Sequence, residues 1–146
     1  KSKSGKVINI IKNVNQIIQP FPFNTIELQK EASRIFGFQP TKTLQIAEKL
    51  YLNAQISYPR TSSEKLPKNI NYCKIFNGLK NIKKYYSDIN KLLESNLTPN
   101  EGSKFDSAHP AIYPTGEFTD KFLSFDQKKI YYLIYFNYNE LYYFKI

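Results

Sequence analysis

Between Pro20 and Asn53 the chain punctuates itself as helix, turn and helix, and this restricts its fold more than any other stretch. Asn24, after Pro20 and Pro22, is placed to cap a helix, with Glu27 completing a capping-box arrangement. Leu28, Ala32, Ile35 and Phe36 follow at helical spacing. Gly37 supplies a stop. Pro40 suits the first turn of a second helix, whose stripe is Leu44, Ala47 and Tyr51 and whose end falls near Asn53.

The remaining segments add helices and short strands. Val7, Ile8, Ile10 and Ile11 form a β-branched cluster that suits a strand, and Val14 to Ile18 is its nearest partner. Two short strands are marginal alone, so this piece is expected to belong to a sheet whose remainder lies elsewhere. Ile75, Leu79, Ile82 and Tyr86 mark a third helix, with Lys80, Lys83 and Lys84 on its other faces. Ser95 to Gly116 is dense in Pro, Gly, Ser and Asn and reads as a long loop. Ser124 and Gln127 form another capping box before a last helix, with Ile130, Leu133, Ile134, Asn137 and Leu141 on one face. Tyr131, Tyr132, Tyr135, Phe136, Tyr142, Tyr143 and Phe144 surround the rest of it, which predicts packing on several sides. The fold class is therefore mainly α with short β segments.

Composition narrows the function classes. With 146 residues and 41% hydrophobic content the chain can bury a core. Its apolar runs fall short of the roughly 18 to 20 residues of a membrane span, and no signal-peptide pattern opens it. A soluble, cytoplasmic protein with no membrane partner is expected. Cys73, the single cysteine, excludes an internal disulfide and a multi-cysteine zinc site, and is expected to be a small buried side chain. Twenty-one Lys and Arg against twelve Asp and Glu give a net charge of +9, which favours a polyanionic partner, although a basic surface also serves solubility alone. The twelve Tyr and eleven Phe could stack on unpaired bases or fill the core.

The candidate chemistry centres on Ile56 to Ser63, ISYPRTSS. Pro59 disfavours the α region for Tyr58, so in an extended segment Tyr58 and Arg60 point to the same side and could meet one phosphate. A phenol is a poor nucleophile unless a cation or base assists it, and a fixed guanidinium charge opposes the charge built up during phosphoryl transfer. The same triplet is equally compatible with a core tyrosine beside a surface arginine. His109, the lone histidine, lies in a polar loop and could donate to a phosphate oxygen. Thr41, Lys42 and Thr43 open the second helix, where phosphate contacts are natural. That pair of helices is also compatible with a non-enzymatic helix-turn-helix DNA-binding module. The acidic residues Glu101, Asp106 and Glu117 show no close pairing that makes a magnesium cage, so no metal ligands are assigned. Tyrosine recombinase chemistry uses several arginines, whereas this chain has only Arg34 and Arg60.

Three segments together resemble the type IA DNA topoisomerases, especially archaeal members: PFNTIELQKEASRIFGFQPTKTLQIAEKLY, then ISYPRTSS with EKLP after it, then AHPAIYPTGE. Their order and spacing both fit, from about Pro22 to Glu117, and Phe122 to Ile134 is similar to the helix leading back into the family's arch. The resemblance implies that Tyr58 attacks a DNA phosphate to give a 5′-phosphotyrosyl link without ATP. It also implies that Arg60 steadies the phosphate, that Thr61 and Ser62 shape the DNA pocket, and that His109 assists phosphate positioning or leaving-group chemistry. Tyr113 stands where some relatives carry arginine. The family's Mg2+ site lies in a toprim domain that this chain does not match, so no cofactor is expected on these residues. By the same resemblance, residues 1–21 are a strand stub of the β-rich arch domain, 22–117 the helical gate domain bearing the tyrosine, and 118–146 the return helix into the arch. The implied partners are DNA, preferentially single-stranded, and the toprim domain of the same protein. The equivalent module of a reverse gyrase fits the same motifs.

Overall fold

Helix α1 (Thr25–Phe36) begins where the Asn24 side chain accepts from the Glu27 backbone N–H at 2.9 Å. It ends at Gly37, whose φ of 68° is the left-handed conformation that glycine adopts without a Cβ penalty. Only half of the anticipated capping box is seen, because the Glu27 carboxylate pairs with Lys30 at 2.8 Å. The computed structural model describes residues 19–80, 86–94, 97–119, 121 and 123–142. The expected strand at Val7 to Ile11, its partner at Val14 to Ile18, and Ile82, Lys83, Lys84, Phe122, Tyr143 and Phe144 lie outside these.

Helix α2 (Pro40–Leu52) packs against α1, with Phe36 and Phe38 in ring contact at 5.5 Å beside the turn that joins them. Its buried face is Thr43, Ile46, Ala47 and Leu50, a correction to the expected stripe of Leu44, Ala47 and Tyr51. Tyr51 is exposed because it faces the segment that follows the helix, not the core. Ile35 of α1, expected inward, is exposed too, leaving Leu28 and Ala32 as that helix's buried pair.

Helix α3 (Tyr72–Leu79) is capped by Asn71 and buries Ile75, Phe76 and Leu79. A separate helix, α4 (Tyr86–Leu93), packs on α3, whereas the periodicity of Ile75, Leu79, Ile82 and Tyr86 predicts one continuous helix. Cys73 is exposed, contrary to expectation, because Ile75, Phe76 and Leu79 already occupy the inward face of α3. Gly78 lets that helix lie directly on the chain at Gly116: a Cβ there would fall on the Gly116 carbonyl oxygen.

Helix α5 (Phe125–Glu140) opens with the full capping box, Ser124 accepting from Gln127 N–H at 3.2 Å and Gln127 Oε1 from Ser124 N–H at 2.8 Å. It packs on both α1 and α2 and buries Ile130 and Ile134 together with Tyr131, Tyr135 and Tyr138. Packing on several sides is thus observed, and the tyrosines are core. Tyr138 and Tyr142 each meet the Phe76 ring at 5.4 Å, and Phe118 stacks on Tyr131 at 4.5 Å. Burial raises the phenol pKa of Tyr131, Tyr138 and Tyr142 far above the ordinary value.

Among the described residues β structure is limited to two antiparallel bridges, Phe23 with Ile112 and Ile56 with Pro114. Ile112 N–H donates to Phe23 O at 2.7 Å, and Thr115 N–H donates to Gln55 O at 3.1 Å. The segment around Ile112 is thereby laid between the approach to α1 and the exit from α2. A buried carboxylate ties the loop further: Glu64 accepts from Asn24 Nδ2 at 3.2 Å and from Lys104 Nζ at 2.7 Å. The Lys104 bond holds the Glu64 carboxyl below its usual range.

Candidate active site

The chain leaves α2 through Ala54, whose φ of 58° turns it sharply, and runs back alongside the helix it has just left. Ser57 and Thr61, on either side of Tyr58, are clamped to other parts of the molecule. Ser57 N–H donates to Tyr113 O at 2.9 Å, its hydroxyl donates to Ala111 O at 3.1 Å, and Tyr113 N–H donates back to that hydroxyl at 3.0 Å. At the other side the Thr25 hydroxyl donates to Pro59 O at 2.7 Å and accepts from Thr61 N–H at 2.9 Å. The first residue of α1 therefore grips the Pro59–Thr61 backbone. Tyr58 thus sits on a backbone segment held on both sides by these bonds.

Tyr58 is half-buried between two rings. Tyr51 meets it edge-on at 5.3 Å and 74°, and the His109 ring lies 4.5 Å away on a 46° tilt. Arg60 directs Nε and Nη2 to Glu48 Oε1, both at 2.6 Å. Glu48 and Tyr51 are three residues apart on α2, so the partners of Arg60 and Tyr58 share one helical face. This agrees with the expectation that both side chains leave the segment on one side.

His109 is brought to Tyr58 by a bonded loop. The Thr61 hydroxyl donates to His109 O at 3.1 Å, and Asp106 Oδ1 accepts from Ala108 N–H at 2.8 Å and His109 N–H at 3.2 Å. These backbone donors, Ala108 foremost, hold the Asp106 carboxyl below the usual carboxylate range. A phenol, an imidazole and a guanidinium from two distant segments are gathered at one surface. Such a group can position an anion and exchange a proton with it.

The other residues singled out from the sequence are dispersed. Thr61 is buried, its hydroxyl donating to His109 and accepting from Ser63 N–H at 3.0 Å, while Ser62 beside it is exposed. Thr41 is exposed, and Lys42 pairs with Asp126 at 2.7 Å with its ammonium 4.1 Å over the Phe38 ring. Thr43 is fully buried with its hydroxyl donating to Gln39 O at 3.3 Å, so it offers no surface to DNA, which corrects its selection as a contact. About 15 Å of helix separates Thr41 from Tyr51, so the α2 N-terminus is not part of the Tyr58 group. Tyr113 is half-buried, its backbone bonded to Ser57, and burial raises its phenol pKa.

Glu48, Tyr51, Thr25, Ser57 and Asp106 were not anticipated. One signal was available for the first two: a helix ending near Asn53 must pass its last turns beside a chain that reverses there. Among the described residues no group of three or more His, Cys, Asp or Glu could hold a metal ion, so these residues do not fit a metal centre. No described helix is long and apolar enough to cross a membrane.

A family model described as DNA topoisomerase matches residues 1–142. DNA topoisomerase 1 of Methanothermobacter thermautotrophicus is 50% identical over 115 residues, covering 79% of this chain and 16% of that protein. The Aeropyrum pernix DNA topoisomerase 1 is 46% identical over 127 residues, 85% of this chain and 19% of its own length. DNA topoisomerase 3 of Caenorhabditis elegans is 32% identical over 135 residues, covering 92% of this chain and 18% of that protein. The chain thus spans less than a fifth of the length of these relatives.

Proposed function

The chain belongs to the type IA DNA topoisomerases, and from that premise we propose that it is the tyrosine-bearing part of a longer enzyme that cleaves and rejoins one DNA strand. Tyr58 Oη attacks a backbone phosphorus, and the bond from phosphorus to the 3′ oxygen breaks. The tyrosine then carries the 5′-phosphate, the phenol has lost its proton, and the 3′ oxygen leaves as a hydroxyl. Reversal restores the strand. One phosphodiester is exchanged for another, so the cycle needs no ATP.

Arg60 opposes the charge on the nonbridging oxygens, and its guanidinium stays protonated throughout. His109, 4.5 Å from the Tyr58 ring, is in reach of the same phosphate, where it positions an oxygen or hands a proton to the leaving group. Thr61 fixes the histidine loop by donating its hydroxyl to the His109 carbonyl oxygen, and Ser62 and Thr41 offer exposed hydroxyls to the strand. The half-open row of Tyr51, Tyr58 and His109 favours single strands, whose bases can stack on rings. Mg2+ belongs in this reading to a toprim domain outside the chain. Residues 22–117 form the gate that lifts from that domain and 118–146 return toward the arch, with α5 sharing the core of α1 and α2. Alone, the chain binds DNA weakly and relaxes nothing.

The observation that carries this reading is the meeting of Tyr58 and His109, from segments about fifty residues apart, within a matching family. Its test is Tyr58→Phe in the longer enzyme. Covalent attachment to a single-stranded oligonucleotide should vanish while equilibrium binding persists; attachment that survives contradicts the proposal.

A further inference from the structure

We infer that Glu48 is a positioning residue for Arg60, one that sets the guanidinium before the phosphate arrives; this rests on the reading of Tyr58 and Arg60 given above. Both Nε and Nη2 of Arg60 reach one carboxylate oxygen of Glu48 at 2.6 Å. Of the five N–H donors of a guanidinium, two are engaged, and three remain for a phosphate. A planar fork held on one edge presents its other edge in a fixed orientation. Without Glu48 the side chain would have to give up its rotamer freedom at the moment of reaction.

Stability does not explain the pair. Its side chains are 55% and 34% exposed, and an ion pair in such surroundings contributes little to folding. Affinity does not explain it either, because a carboxylate beside a DNA phosphate repels it. Location does explain it: Tyr51, one turn along the same helix, meets the Tyr58 ring at 5.3 Å. One face of α2 therefore spaces the nucleophile and the cation relative to each other. The residue expected to pay for this in binding and return it in rate is Glu48.

The experiment uses the longer enzyme and a single-stranded oligonucleotide labelled at its 3′ end, with adduct formation followed in single turnovers. Glu48→Gln should slow adduct formation at saturating oligonucleotide by about 10- to 100-fold, the scale of a misplaced catalytic group. Its affinity for the oligonucleotide should be unchanged or tighter, and its melting temperature unchanged. In an Arg60→Ala background the same substitution should have no further effect, because the two act as one unit. An unaltered rate in Glu48→Gln overturns the inference, as does an equal slowing when Arg60 is already absent. An adduct that survives Tyr58→Phe overturns the underlying reading of the tyrosine instead.

Discussion

At the residue scale, Thr61 shows how the site is held together. Its hydroxyl serves two segments at once, donating to His109 O and accepting from Ser63 N–H, in a buried position. Thr61→Val keeps the shape and leaves both backbone groups unpaired, at a cost of about 1–3 kcal/mol. The urea midpoint should fall accordingly, and an unchanged midpoint would show that the hydroxyl carries neither bond. Residue type alone does not reveal this role. A threonine after an arginine reads as a phosphate contact, yet Thr61 and Thr43 are both turned inward, while Cys73, a small hydrophobe expected inside, is exposed. The direction of a short side chain depends on which neighbours already fill the core, and that is a tertiary fact.

Elements were more legible than residues, because their ends carry local chemistry. Asn24, Gly37, Pro40 and the Ser124–Gln127 box mark helix boundaries through bonds made within a few residues, and each boundary is where those signals put it. Faces were less legible. The α2 stripe is shifted because the helix must satisfy α1, α5 and the returning Tyr58 segment together. Close approach was not legible at all: Gly78 has nothing in its local sequence to announce Gly116. Gly78→Ala would drive a Cβ into that carbonyl, so α3 must shift from the loop. The expected result is destabilisation of about 1–3 kcal/mol, the cost of overpacking, read from chemical denaturation. By contrast, Gly37→Ala meets nothing within 4 Å and should incur only its backbone cost, about 1 kcal/mol. A milder effect at Gly78 than at Gly37 would contradict this packing.

At the scale of the whole molecule, the aromatic load serves the core. Tyr131, Tyr138 and Tyr142 are buried with their phenol pKa values raised by burial above the ordinary 10.0. The folded state favours the neutral phenol, so this contribution is complete below the ordinary value. It is lost as the pH climbs above it, because the unfolded chain ionises first. Stability should therefore decline from about pH 10 upward, with phenolate absorbance from these residues appearing together with unfolding. Phenols that titrate at their ordinary value in an intact fold would contradict the packing. The site is likewise a property of the whole. Spacing offers Tyr58 and Arg60 as a pair, the polar loop offers His109, and the family resemblance implies their roles, but only the fold shows Thr25, Ser57 and α2 holding them.

In the proposed reaction Tyr58 becomes covalently bonded to a 5′-phosphate of DNA. Its most direct test is to trap the adduct of the longer enzyme with a single-stranded oligonucleotide, digest it, and locate the modified residue by mass spectrometry. The expected product is a nucleotide joined through its 5′-phosphate to Tyr58. A nucleotide joined through a 3′-phosphate, or carried on any other residue, would contradict it.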